Sequence, residues 1–178
     1  MPQLFAFLRA INAGRGRTVR MNALCQAFES LGFSGVSTLL GSGNVVFESN
    51  ATDLRTLEKK IERRLKKALG RGVPVFLRTH AELERIAAFQ PFEKAVICGA
   101  DMNIILLTDH LDERSELQLM ALATETDGFR VHGREIYWWR RQKRGTWLFS
   151  TVPLEKALHE PFTIRSVNTI ARLITTWP

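Results

Sequence analysis

Short apolar runs alternate along this chain with longer stretches in which apolar residues recur every three or four positions. Residues 4–8 are apolar and end at Arg9, which predicts a central strand. Met21, Leu24, Cys25, Phe28 and Leu31 then follow at helical spacing up to Gly32, a natural stop. Residues 36–40 and 45–47 predict two strands joined by the tight connection Gly41-Ser42-Gly43-Asn44, a hairpin. Leu54, Leu57, Ile61, Leu65 and Ala68 mark the inner face of a helix that Thr52 or Asp53 can start. Lys59, Arg63 and Lys67 share its outer face, and Glu62 is spaced to pair with Lys66. Residues 73–78 close with a fourth strand, whose proline favours an early or edge position. Strand, helix, strand, strand, helix, strand is the order of a split βαβ unit, with two helices on one face of an antiparallel sheet.

The pattern then starts again. Residues 81–88 predict a short helix, and Phe89-Gln90-Pro91-Phe92 leads into a connector. Residues 103–107 predict a strand and 113–123 a helix. Residues 129–132 and 135–139 predict a hairpin around Gly133-Arg134. Leu154, Ala157 and Leu158 suggest a short helix. Residues 164–173 suggest a last one, with Val167, Ile170, Ala171 and Ile174 inward. This repeats the first order except that its final strand is missing or replaced by the terminal helix. The expected fold is α+β: two ferredoxin-like (split βαβ) subdomains with antiparallel sheets, the second modified. They would occupy residues 1–79 and 103–178, with a helix and connector over 80–102.

Composition narrows the class. At 178 residues, 45% of them hydrophobic, the chain is long and apolar enough to bury a core, so wholesale disorder is excluded. No apolar run approaches the roughly 20 residues of a membrane span, so no membrane association is expected. The apolar start lacks a basic leader and reads as a strand, not a signal peptide. Cys25 and Cys98 have no CxxC partner, which argues for buried free thiols in a cytoplasmic protein. The formal charge of +7 is uneven. Residues 1–79 hold 13 basic and 5 acidic residues; residues 80–178 hold 12 and 13. The basic excess of the first half suits an anionic partner, and equally a solubility role.

The opening Leu8-Arg9-Ala10-Ile11-Asn12-Ala13-Gly14 with Met21 resembles the LLRGINVGG…K.M opening of the bacterial proteins grouped as DUF1697. Ser42-Gly43-Asn44-Val45-Val46-Phe47 is similar to that family's SGNVVF. Pro91-Phe92, Arg134-Glu135-Ile136-Tyr137 and Arg165-Ser166-Val167-Asn168-Thr169-Ile170 resemble later motifs in the expected order. The resemblance implies two ferredoxin-like subdomains and no known function. Ala10 and Ala13 stand where the family has glycines, so the backbone there is expected to be unstrained. Ser166 and Val167 replace an Asn and a Trp.

Four groups are candidates for chemistry. Arg9, Asn12, Arg15, Arg17 and Arg20 offer guanidinium forks and a following helix N-terminus to an anion, though without Walker spacing; a solvated loop is the plain alternative. Ser42 and Asn44 can orient a ligand or cap the hairpin. Arg165, Asn168 and Thr169 can share a helical face, for a ligand or for a structural network. Trp138, Trp139, Arg140, Arg141, Lys143, Arg144 and Trp147 interleave rings and cations as nucleic-acid binders do, without an RNP pattern. The first loop and the β-hairpin at Ser42 are expected at opposite ends of the sheet. The four histidines lack metal spacing and no nucleophile elbow occurs, so no cofactor, metal or catalytic residue is assigned. The leading reading is a module that binds a small anionic or phosphate-bearing ligand. The alternatives are a nucleic-acid-binding protein and an enzyme acting on a phosphorylated metabolite.

Overall fold

The computed structural model describes residues 1–11, 19–39, 41, 43–141 and 151–178. They form two compact units, Met1–Glu84 with Trp177–Pro178, and Arg85–Thr176.

The first unit runs β1 (Gln3–Leu8), α1 (Met21–Glu29), β2 (Ser34–Leu39), β3 (Asn44–Glu48), α2 (Leu54–Leu69) and β4 (Val75–Thr79). Its sheet is antiparallel in the order β2-β3-β1-β4. Alternation explains its two faces. Leu4, Ala6 and Leu8 of β1 join Val45, Phe47, Val75 and Leu77 against Leu24 and Phe28 of α1 and Leu57, Ile61 and Leu65 of α2. The other face carries Phe5, Phe7, Val46 and Phe76, also buried, and Arg78, which is 0% exposed and donates to the Leu77 carbonyl at 2.8 Å.

Within the sheet β4 pairs with β1 alone, so alternate N–H groups face away from any strand. Carboxylates accept them. Val75 N–H donates to Glu62 Oε1 (3.0 Å), Leu77 N–H to Glu58 Oε1 (2.8 Å) and Thr79 N–H to Glu82 Oε2 (2.7 Å). The last contact is half of a capping box, since Thr79 Oγ1 accepts the Glu82 N–H at 3.2 Å. Glu62 therefore faces the sheet edge, not the expected partner Lys66. The edge is closed to strand addition by side chains.

Helix α3 (His80–Ala88) begins in the first unit and ends in the second, and the single turn α4 (Lys94–Ile97) follows. The second unit then runs β5 (Asp101–Leu106), α5 (Glu113–Met120), β6 (Asp127–His132), β7 (Glu135–Arg140), α6 (Val152–Leu158), β8 (Thr163–Ser166) and α7 (Val167–Thr176). Its sheet order, β6-β7-β5-β8, reproduces that of the first unit. Ile105, Leu107, Ile136 and Trp138 pack with Leu119 of α5 and with Leu154 and Leu158 of α6.

The final strand expected to be missing is present. Residues 163–166 pair antiparallel with β5, from Leu106↔Thr163 to Asn103↔Ser166, and α7 starts only after them. Four residues are too few to show a period of two, and helical spacing further on masks them. Ser166 marks the switch by capping the helix. The thiols also differ from expectation: Cys25 is half-buried and Cys98 exposed. Burial, then the Glu29 charge, pushes the Cys25 thiol up. Among the described residues no helix is long and apolar enough to cross a membrane.

Candidate functional site

The first loop and the β2–β3 hairpin share one end of the first sheet; the expected separation is wrong. Because β1 runs antiparallel to β3, the end of β1 lies beside the start of β3, with Phe7 opposite Asn44. Leu8 N–H donates to the Gly43 carbonyl at 2.8 Å. Gly43 has φ +77°, and a methyl there would fall 2.6 Å from Ile11 Cγ2 and 3.2 Å from the Leu8 carbonyl oxygen, so both conformation and space require glycine. Arg71 donates to the Ile11 carbonyl at 2.8 Å and reaches that of Ala10 at 3.4 Å. Ala10 itself has φ +50°. The backbone at Ala10 is strained where the alanine implied an unstrained one, and the glycine of the resembling motif is the residue that conformation favours.

Of the candidates at this end, Arg9 is half-buried and its N–H donates to the Pro74 carbonyl. Arg20 is exposed at the α1 N-cap. Asn44 is 1% exposed and its amide donates to the Leu39 carbonyl at 3.3 Å, a hairpin brace. Asn12, Arg15, Arg17 and Ser42 lie outside the described residues.

The second unit brings members of the two remaining groups together. A cavity of about 640 Å³ opens at the end of the sheet where β5 begins and β7 and β8 end. Strand register fixes its floor. Arg140 lies opposite Asp101, and Asn103 stands between Trp138 on one side and Ser166 on the other. Ile164, Val167 and Asn168 complete the wall. Asp127 holds two of these groups: Oδ1 accepts the Trp138 indole N–H at 2.9 Å and lies 3.5 Å from Arg140 Nε. The Arg140 guanidinium also lies 5.7 Å from the Trp138 ring centre. Ser166 Oγ accepts the Thr169 N–H at 3.2 Å and contacts Thr169 Oγ1 at 3.0 Å, so Thr169 serves the helix cap. The first two residues of α7, Val167 and Asn168, line the cavity beyond that cap.

Arg165 and Asn168 do not share a helical face, because Arg165 belongs to β8. Arg165 Nη1 donates to Thr163 Oγ1 and the Ile164 carbonyl, both at 2.8 Å. Burial lowers its pKa to about 10, which leaves it charged at neutral pH. Tyr137 and Trp139 point to the sheet face opposite Trp138. The Tyr137 hydroxyl donates to the Ile86 carbonyl at 3.2 Å, and burial, then the Glu135 charge, pushes its pKa up. Trp138 and Trp139 are 3% and 8% exposed, so neither ring offers a face on which a base could stack. Arg141 is exposed but tied to the Val96 carbonyl at 2.7 Å. Lys143, Arg144 and Trp147 lie outside the described residues.

Sequence reasoning missed Asp101, Asn103, Asp127 and Ser166. A signal existed for the first two. They alternate with Ile105 and Leu107 on the face that should be apolar, so the core-facing stripe of β5 turns polar at its start. The lining supplies a carboxylate, a guanidinium, two amides and a helix N-terminus. Among the described lining residues there is no His or Cys. Nor do the described residues gather three or more His, Cys, Asp or Glu side chains that could hold a metal ion.

The family described as "Protein of unknown function (DUF1697)" matches residues 1–137. The solved structure of SP0830, a conserved bacterial protein from Streptococcus pneumoniae, is similar across the chain. It is 18% identical, with a TM-score of 0.73 over 99% of this chain and 98% of that one. At that identity the likeness concerns the fold alone. Among curated proteins none matches. The family match ends at Tyr137, so Arg140, Ser166 and Asn168 lie beyond it.

Proposed function

We infer, for a chain that belongs to the DUF1697 family of proteins of unknown function, that the second unit binds a small polar ligand carrying an acidic group. The observation that carries this reading is the cavity of about 640 Å³ with Arg140 in its wall at the start of α7. That volume is typical of small-molecule sites, which combine apolar walls with a few placed polar groups. Trp138, Ile164 and Val167 supply the wall here, and Asn103 and Asn168 the placed amides. An anionic group docks between the Arg140 guanidinium and the α7 N-terminus, where charge and helix dipole agree. Asp101, opposite Arg140, sets the second requirement. It repels a dianion and accepts from a donor, so a carboxylate ligand that also carries an amine or hydroxyl is favoured over a phosphomonoester.

The test is calorimetric titration of the protein with amino acids, hydroxy acids, simple carboxylates and phosphomonoesters. Saturable binding of the first two classes is expected, with affinity lost at least about tenfold in Arg140→Gln, as for a charge-assisted hydrogen bond. Asn168→Leu, at an exposed position, checks that the loss is local. If no compound binds, or Arg140→Gln and Asn168→Leu both bind as the natural protein does, the reading fails.

A further inference from the structure

Helix α2 carries seven of the thirteen basic residues in residues 1–79. At about 100° per residue all seven fall within about half of the helix circumference. Its two carboxylates do not share that half. Glu58 is 0% exposed and Glu62 is half-buried, and both accept N–H groups of β4, at 2.8 and 3.0 Å. A sequence that mixes signs therefore folds into a surface with one sign. Arg55 lies 3.3 Å from Glu58 and the charge of Lys59 acts on Asp53, but Lys66 and Lys67 have no carboxylate partner among the described residues; Lys59, Lys66 and Lys67 lie along one exposed side of the helix. All three are exposed, as is Arg63.

The geometry points to a second function on the first unit: we propose that the solvent face of α2 docks the phosphate backbone of a nucleic-acid duplex. Charge complementarity selects a polyanion. The helix of 16 residues is about 24 Å long, which matches the rise of about seven base pairs. A lipid surface fits less well. An interfacial helix inserts its apolar face, and here Leu57, Ile61 and Leu65 are already buried in the unit's own core. No aromatic residue lies on α2 to stack or read bases, so the contact is to phosphate and independent of sequence. The two proposals rest on different residues, and either can fail without the other.

The experiment is fluorescence anisotropy with a labelled 16-base-pair DNA duplex, and an RNA duplex of the same sequence, from 50 to 200 mM salt. The triple variant Lys59→Gln, Arg63→Gln, Lys67→Gln is compared with a charge-matched control, Arg114→Gln, Arg130→Gln, Arg172→Gln, built at exposed positions of the second unit. Glutamine keeps helix propensity, and circular dichroism verifies that both fold. The expected result is binding of either duplex that weakens at least about tenfold in the α2 variant at 50 mM salt. The slope of log K against log salt should shrink by about 2.7, for three lost phosphate contacts. The control should bind as the natural protein does. No binding at 50 mM salt overturns the proposal, as does an equal loss in both variants or tighter binding to phosphatidylserine vesicles than to duplex.

Discussion

Ala10 sits at φ +50°, a backbone region that a β-carbon makes costly by about 1–2 kcal/mol. Two hydrogen-bonded neighbours hold it there. Arg9 N–H is bound to Pro74, and Arg71 grips the carbonyl of Ile11. Glycine at this position relieves the clash and gives back part of the gain through the freer unfolded chain. Ala10→Gly should therefore raise the unfolding free energy by about 0.5–1 kcal/mol in urea titration. A loss of stability would mean that the left-handed turn is absent. Asn44 makes a related point about function. Its residue type allows a ligand contact or a hairpin cap, and 1% exposure with a bond to the Leu39 carbonyl favours the hairpin.

Elements are joined here through buried carboxylates. Glu58 ties α2 to the outer edge of β4, and burial raises its pKa against the opposing hydrogen bonds from Leu77 and Arg55. The consequence for stability has a definite sign. Below about pH 4.5 both folded and unfolded chains hold the proton. As pH rises, the unfolded chain releases it first, so Glu58 contributes less and less to stability until the folded carboxyl ionises too. The N-caps Asp53 and Asp112 act in the opposite sense. Hydrogen bonds from Thr56 and Ser115 lower their pKa values, and the stability they add is lost as pH falls below the ordinary carboxylate range. Glu58→Gln keeps an acceptor for Leu77 N–H and removes the titration. Relative to the natural protein its stability should improve as pH rises through and above 4.5, measured by denaturant unfolding at several pH values. Glu58→Ala leaves that N–H unpaired and should cost about 1–3 kcal/mol. A pH-independent difference between Glu58→Gln and the natural protein would refute the assignment.

At the scale of the molecule, the element order was readable because it rests on periodicity. Leu57, Ile61 and Leu65 mark α2, and the paired runs about Gly43 and Gly133 mark hairpins. The strand β8 was not readable, being only four residues that run straight into α7. The shared end of the first loop and the hairpin is a matter of strand direction, which periodicity does not carry: β1 and β3 run antiparallel. The candidate site was legible in part. Trp138, Arg140 and Asn168 drew attention as residue types, yet they lie 28 or more positions from their partner group in sequence and meet only through β5. Asp101 and Asn103, which complete the cavity, show only as polar interruptions of an apolar stripe.

The most direct measurement is NMR chemical-shift mapping of isotope-labelled protein titrated with the amino acids and hydroxy acids. The account predicts saturable shifts at residues 100–103, at Arg140 and at residues 166–168, with the amides of α2 unmoved. Saturable shifts confined to other surfaces, or none at all across the panel, would contradict it.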